Sequence, residues 1–347
     1  MVRLGAMGDI LHALPAVTAL RQTHPAWIID WVIEPAWCAL LTANCDPATP
    51  RGPAQPVIDH LHLASTKAWR HHPFSPDTRH EIRALRRILG ESHYDAVLDF
   101  QGAVRSAAVA RMAKSHRRIG ESHPREWEAR WLFTERVATR GSHVIEQDLE
   151  LAAAVAGDEL LPVQPWLPVD PAAEAWCDNV LLPSTNQPAV LLNPGAGWGA
   201  KRWPVERYAA VAATLARRGF RVLLNAGPGE EQLAEAIEVQ SSGAARPLNG
   251  TLAQLTAVTR RVALVIAGDT GPLHLACALG RPVVGIYGPT DPARNGPFGT
   301  RSRVLRSPDS RRDHSRRSEP EAGLLTITPD AVLQAADELL AGEETVA

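Results

Sequence analysis

Along the chain, short apolar runs alternate with stretches whose apolar positions recur at helical spacing, the pattern of parallel βαβ units. In the first half, Ile28–Ile33 and Ala96–Phe100 predict buried strands, and helical spacing covers Ile10–Thr23, Arg79–Leu89 and Val104–Ala113. The pattern then breaks. Pro162, Pro165, Pro168, Pro171, Pro183 and Pro188 predict an interdomain connection with at most a short helix at Ala172–Val180. It restarts with strand Ala189–Leu192, helix Val205–Arg218, strand Arg221–Leu224 and helix Glu230–Val239. Strand Ala263–Ala267, helix Pro272–Leu279 and strand Val283–Tyr287 follow, and the helix Pro329–Leu340 opens with Thr328 as N-cap and Pro329 at its first position. The fold class is therefore α/β, with two Rossmann-like domains facing across a cleft and a ligand held at the carboxyl ends of the strands.

Length agrees with this division. The 347 residues suffice for two domains at roughly 100–200 residues each. Hydrophobic residues make up 45% and charged residues 21%, which excludes a disordered or fibrous chain. The formal net charge is -2, so the whole molecule is not a general nucleic-acid binder. That total hides an asymmetry: from Lys67 to Arg140 there are 15 Lys/Arg against 9 Asp/Glu, leaving 21 against 29 elsewhere. For any single arginine of Arg79, Arg83, Arg86 and Arg87 a solvated helix face is the simpler account. The cluster as a whole, with Lys67 and Arg70, also suits a multiply anionic partner such as a phosphorylated lipid headgroup. Cys38, Cys45, Cys177 and Cys277 form no C-x-x-C pair, so reduced thiols in a cytosolic setting are expected. No apolar run reaches the length of a spanning helix, and no signal-peptide layout opens the chain.

Three segments carry candidate chemistry. In Arg3–Pro15, Gly5 and Gly8 make a turn after a strand end, and Asp9 stands where a helix begins. Asp9 is either a helix cap or an acid turned to the cleft, and the local sequence leaves both open. In Leu191–Pro204 a strand empties into a loop with Gly195, Gly197 and Lys201, groups suited to a pyrophosphate. Gly195-x-Gly197-x-x-Ala200 also meets a loose dinucleotide fingerprint, although Asn225 rather than an acid closes the next strand. In Ala267–Ala278 the strand ends in Gly268-Asp269-Thr270-Gly271 and a helix opens at Pro272. Thr270 and Gly271 can donate to phosphate oxygens there, Asp269 can accept from sugar hydroxyls, and His274 falls on the first turns. No two aspartates stand at i and i+2, and His60, His62, His71 and His72 lack ligand company and read as surface residues. No metal is expected, so Lys201 and the helix amides must offset leaving-group charge.

Taken in order, Gly8-Asp9 with His12 and Pro15, the Lys201-Arg-Trp-Pro204 loop and Asp269-Thr-Gly-x-x-His274 resemble glycosyltransferase family 9, the lipopolysaccharide heptosyltransferases of GT-B fold. Asp30–Glu34, Gln101-Gly-x-x-x-Ser106 and Arg125-Glu126 are most similar to its heptosyltransferase I branch. The resemblance implies domains at residues 1–165 and 166–328, with 329–347 returning to the N-terminal domain. It implies inverting, metal-independent transfer of L-glycero-D-manno-heptose from ADP-heptose to the Kdo of Kdo-lipid A, with no cofactor. Asp9 would be the general base. Lys201, Thr270, Gly271, Gly195 and Gly197 would hold the diphosphate, Asp269 and His274 the heptose, and Glu230 or Glu231 the ribose. Gly8, His12, Lys67, Arg70, Gln101, Arg105 and Arg125 would meet the anionic acceptor. The implied partners are an ADP-sugar and a lipid at the cytoplasmic face of the inner membrane, with no nucleic acid and a monomeric enzyme. Transfer of a second heptose or another nucleotide sugar, an NAD(P)-dependent oxidoreductase and a non-catalytic lipid A binder are the competing functions. Only Met1–Leu4 precede the first glycine, so that strand is either stunted or begins upstream; Arg301–Arg317 is expected to be a mobile loop, and Arg301–Glu319 lacks the cysteines of many relatives.

Overall fold

The computed structural model describes residues 1–181, 187–312 and 318–341, and the chain divides into two compact units, Met1–Asp170 and Pro171–Ala347. The first unit alternates helices α1 (Met7–Thr23), α2 (Thr66–His71), α3 (Pro76–Glu91), α4 (Val104–Met112) and α5 (Val144–Ala156) with five strands. These are β1 (Asp30–Ile33), β2 (His60–Leu63), β3 (Ala96–Asp99), β4 (Arg117–Glu121) and β5 (Glu135–Val137). β1 pairs with β2, and β3 with β4 with β5, all parallel. Between these groups runs Met1–Leu4. Val2 bridges Val32 on one side and Asp99 on the other, and the Val2 amide donates to the Leu98 carbonyl at 2.8 Å. The sheet therefore reads β2-β1-(Met1–Leu4)-β3-β4-β5, the doubly wound order with its reversal beside the short central segment.

The second unit repeats that order with full strands. It contains α6 (Pro171–Leu181), β6 (Ala189–Asn193), α7 (Val205–Arg217), β7 (Arg221–Asn225), α8 (Glu231–Gln240), β8 (Ala245–Leu248) and α9 (Leu252–Arg261). Then come β9 (Leu264–Gly268), α10 (Gly271–Ala278), β10 (Val283–Tyr287), α11 (Pro292–Asn295), β11 (Ser302–Arg306) and α12 (Pro329–Leu340). The parallel sheet runs β11-β10-β9-β6-β7-β8, with the reversal between β6 and β9. Every residue of β6, β9 and β10 is buried, as continuous apolar runs covered on both faces require. The strands absent from the sequence reading, β2, β4, β5, β8 and β11, lie toward the sheet edges and carry charges or histidines among their apolar residues.

Four expectations change. First, Trp166 and Val169 of the proline-rich connection donate to Thr18 Oγ1 and the Pro53 carbonyl at 3.3 and 2.9 Å, so this stretch belongs to the first unit. α6 belongs to the second, where Arg260 and Arg261 of α9 reach Glu174 at 2.9 and 2.7 Å; residues 182–186, including Pro183, lie outside the described residues. Second, the last helix does not leave its own unit over the described length: Val332, Leu333, Ala335, Ala336 and Leu339 sit in the core built from α7, β6, β9 and β10. Its apolar stripe is spent there, and residues 342–347 lie outside the described residues. Third, Cys38 and Cys45 are disulfide-bonded, because two short 3-10 turns reverse the chain and bring their Cα atoms to 5.2 Å; Cys177 and Cys277 are free and buried. Fourth, His60 and His62 are not idle surface residues. Their rings reach the buried Asp30 carboxylate at 2.8 and 3.3 Å, and Tyr94 donates to it at 2.6 Å. Within Arg301–Glu319, residues 302–306 form β11 and 313–317 lie outside the described residues.

Trp203 locks α7 to the chain before α12. It is 2% exposed, meets Tyr208 edge-on at 5.0 Å, and its Nε1 donates to the Ile327 carbonyl at 3.0 Å. Trp203→Ala is expected to cost about 3–5 kcal/mol of stability, seen as a lower urea midpoint; a change under about 1 kcal/mol would contradict this packing role.

Candidate active-site groups

In the second unit the strand reversal gathers the predicted donor residues. β6 delivers Asn193 and the glycine loop, and β9 delivers Gly268-Asp269, with Thr270 as N-cap of α10. Lys201, on the 3-10 turn Gly199–Lys201, forms a close ion pair with the Asp269 carboxylate, and its Nζ lies 4.4 Å from the Trp198 ring centroid. His274 Nε2 meets the other carboxylate oxygen at 3.3 Å. The three side chains are only 7–11% exposed. Burial alone would push the Asp269 carboxyl up. The hydrogen bond from His274 and the charge of Lys201 outweigh it and hold the group well below the usual carboxylate range.

The sequence reading gives no role to two asparagines, Asn193 and Asn225. Asn225 Nδ2 donates to Asn193 Oδ1 at 2.5 Å, while Asn193 Nδ2 reaches Thr270 Oγ1 at 3.3 Å and the Gly195 carbonyl at 3.4 Å. Both are buried at the ends of strands, a polar residue closing an apolar run being the signal that could have found them. Of the two acids proposed for the ribose, the structure brings Glu230 to the glycine loop. It accepts from Gly227 at 2.8 Å, and a Cβ on Gly195 would stand 2.0 Å from its carboxylate. Glu231 is exposed and accepts from Gly229 at 3.1 Å. Gly197 is exposed with open space beside it. The loop enters α7 only after Pro204, so no helix N-terminus follows the glycines as a dinucleotide fingerprint requires.

In the first unit, Asp9 is the third residue of α1 rather than its N-cap. Its Oδ2 accepts from the amide of Ala6, the N-cap, at 3.0 Å, and its Oδ1 lies 3.2 Å from Arg3 Nη2. Its side chain is 37% exposed. Gly8 lies in the same first turn. His12 is buried, with its ring edge-on to His143 at 5.7 Å, and Gln101 is buried with its Oε1 accepting from the Leu4 amide at 2.8 Å. Those two therefore face the interior, and the structure does not bring them to the surface with the cations.

Lys67, Arg70, Arg105 and Arg125 are exposed and follow the carboxyl ends of β2, β3 and β4. Two carboxylates hold these loops. Glu34, buried after β1, accepts from the Lys67 amide at 3.0 Å and from Thr66 Oγ1. Glu126 accepts from the Val104 amide at 2.8 Å and donates its own amide to the Gly102 carbonyl at 2.9 Å. Phe74, 81% exposed, and Trp127, 49% exposed, lie in the same loops. The arginines of α3 are exposed along one solvated face, as the simpler account held. Among the described residues, no three or more His, Cys, Asp or Glu side chains are grouped to hold a metal ion, and no helix is long and apolar enough to cross a membrane.

The chain as a whole is similar to known proteins. A family model described as glycosyltransferase family 9 (heptosyltransferase) matches residues 82–324. Lipopolysaccharide heptosyltransferase 1 of Escherichia coli K12 is 30% identical over 317 residues, covering 89% of this chain and 93% of that protein. The structure of E. coli heptosyltransferase WaaC with ADP superposes with a TM-score of 0.78 at 27% identity, covering 97% of this chain and 98% of that one. WaaC with ADP-2-deoxy-2-fluoro heptose gives 0.75 over the same shares.

One buried acid of the first unit has a measurable signature. Asp99 closes β3 at 1% exposure, and its Oδ1 accepts from the Gln101 and Gly102 amides at 2.8 and 3.0 Å. Burial pushes its carboxyl up to about 6 against those bonds and the charge of Arg3. An unfolded aspartate releases its proton near pH ~3.9, so stability falls as pH rises from about 4 to 6 and stays lowered above. Asp99→Asn keeps the acceptor and removes the charge. Urea unfolding should show it gaining about 2 kcal/mol on the wild type at pH 7 relative to pH 4; a pH-independent difference would refute the shift.

Proposed function

The chain belongs to glycosyltransferase family 9, the heptosyltransferases of lipopolysaccharide core biosynthesis, and on that premise we propose that it moves L-glycero-D-manno-heptose from ADP-heptose to the Kdo of a Kdo-lipid A acceptor. The buried Lys201–Asp269–His274 cluster beside the N-terminus of α10 carries this proposal. It offers the Lys201 cation and the Gly271 amide of the helix N-terminus to a diphosphate, and a charged carboxylate to sugar hydroxyls. The ADP of the WaaC structures supports the same nucleotide here. An oxidoreductase function drops out with the family.

In the proposed reaction Asp9 takes the proton of the acceptor hydroxyl as its oxygen bonds to the anomeric carbon. The bond from that carbon to the β-phosphate oxygen breaks on the opposite face, so the configuration inverts and ADP departs with the electron pair. Lys201, Thr270 and the Gly271 amide offset the charge on the leaving phosphate, which is the work a metal ion does in other transferases. Asp269, steadied by His274, holds heptose hydroxyls, and Glu230 holds the ribose. On the acceptor side, Lys67, Arg70, Arg105 and Arg125 meet the anionic lipid headgroup. Phe74 and Trp127 among them fit a peripheral position at the cytoplasmic face of the inner membrane, where aromatic rings and cations share the interface.

Donor choice can be read from thermal shifts with ADP-, UDP- and GDP-sugars. The ADP-sugar is expected to stabilise by about 2.7 kcal/mol at 100 times its Kd, and stabilisation by a UDP- or GDP-sugar instead would overturn the nucleotide assignment. Asp9→Ala should lower kcat by about 100-fold or more while ADP-heptose affinity is retained, whereas Lys201→Ala should weaken ADP binding; full turnover in Asp9→Ala removes the assigned base.

A further inference from the structure

Asp9 does not stand on its helix alone. Arg3, two residues before the glycine turn, is buried in the first unit with its side chain 9% exposed. Its backbone carbonyl accepts from Trp31 Nε1 at 3.1 Å, and the next amide, of Leu4, is pinned by Gln101 Oε1 at 2.8 Å. One end of the guanidinium, Nη1, donates to the Phe100 carbonyl, and the other, Nη2, lies 3.2 Å from Asp9 Oδ1. Arg3 thus runs as a strut from the carboxyl end of β3 to the first turn of α1, across the point where the strand order reverses.

We propose that Arg3 is a positioning residue for the reaction, fixing the Asp9 carboxylate so that its free lone pairs face the acceptor hydroxyl. This rests on the assignment of Asp9 as the base. A carboxylate has about four lone-pair directions, and here Arg3 and the Ala6 amide each occupy one, on different oxygens. Rotation of the group would break both contacts, and its side chain is still 37% exposed, which leaves room for a hydroxyl to reach it. Proton balance is unchanged: the acceptor proton moves to Asp9, the guanidinium stays charged, and the electron pair leaves with ADP. A lysine cannot replace the strut. Its single ammonium is a point charge without the planar fork that lets one cation hold a carbonyl and a carboxylate together.

The test is steady-state kinetics with ADP-heptose and Kdo-lipid A at a temperature well below the unfolding midpoint of every variant. Arg3→Ala is expected to lose on the order of 100-fold in kcat with the KM for ADP-heptose little changed, since misplacing a reacting group by an ångström costs about that much. Guanidinium ion added to Arg3→Ala should recover part of the loss, and Arg3→Lys should fall well short of the wild type. Thermal unfolding by circular dichroism reports the fold of the first unit, and ADP binding by calorimetry that of the second, where Lys201 and Asp269 lie. Unchanged kcat in an Arg3→Ala protein that binds ADP overturns the inference, as does a kcat loss that guanidinium does not relieve and that Arg3→Lys fully restores. If Arg3→Ala does not fold, Arg3→Lys decides: wild-type kcat overturns the inference and a lowered kcat at unchanged KM supports it. A wild type that transfers no heptose removes the functional proposal and this inference with it, whereas an active wild type with an unimpaired Arg3→Ala removes this inference only.

Discussion

A buried carboxylate stays ionised only if a cation or hydrogen-bond donors reach it, and Asp269 obtains the Lys201 charge and a His274 hydrogen bond from different parts of the second unit. Lys201 arrives on the loop after β6 and His274 on the first turns of α10, so the ion cluster exists only when the β6–β9 reversal has formed. Such a cluster is weak evidence for stability, because desolvating the charges offsets much of their attraction. In the proposed reaction its value lies in preorganisation: groups already held out of water need no rearrangement when a diphosphate arrives or departs. Asn193, Asn225 and Thr270 extend the polar arrangement beneath it, which fixes the glycine loop relative to the helix amides.

The first unit solves a related problem with less material. Its central position is held by Met1–Leu4, which makes one ladder bridge on each side, where β6 in the second unit pairs over four residues with each neighbour. The candidate base and the loops bearing Lys67, Arg105 and Arg125 all project from the carboxyl end of this sheet. Carboxylates, Glu34 and Glu126, tie two of those loops down by accepting backbone amides, which leaves the cations themselves turned outward. The basic excess seen in the sequence between Lys67 and Arg140 is therefore of two kinds. Part is a solvated face of α3, and part rims the end of the sheet that carries Asp9.

Much of this was legible beforehand. The central strands of the second unit were found because runs such as Ala189–Leu192 and Val283–Tyr287 are continuously apolar and buried, and α7, α8 and α10 were found with them, whereas α9 was not. The family could be recognised because Gly8-Asp9 with His12 and Pro15, the Lys201–Pro204 loop and Asp269-Thr-Gly-x-x-His274 are local motifs that stand in one order along the chain. Edge strands such as Ser302–Arg306 were invisible, since exposure lets charged residues interrupt the apolar pattern. Pairings across long separations were equally hidden. Nothing local predicts that Cys38 meets Cys45, that His62 serves Asp30, or that Gln101 turns inward to Leu4. The last helix was misplaced because its stripe of Val332, Leu333, Ala336 and Leu339 states that it packs and not against what.

The single-residue bridging at Val2 has a further consequence for how the first unit holds together. Cooperativity in a sheet grows with the number of ladder bonds that must break at once, and here the two halves are sewn by very few. Slow amide exchange should then be discontinuous across this seam, with the β1–β2 and β3–β5 halves opening as separate blocks. Because Arg3 and Leu4 lie on the seam itself, the mount of the proposed base joins β3 through two backbone bonds at Val2 and through the side chains of Arg3 and Gln101.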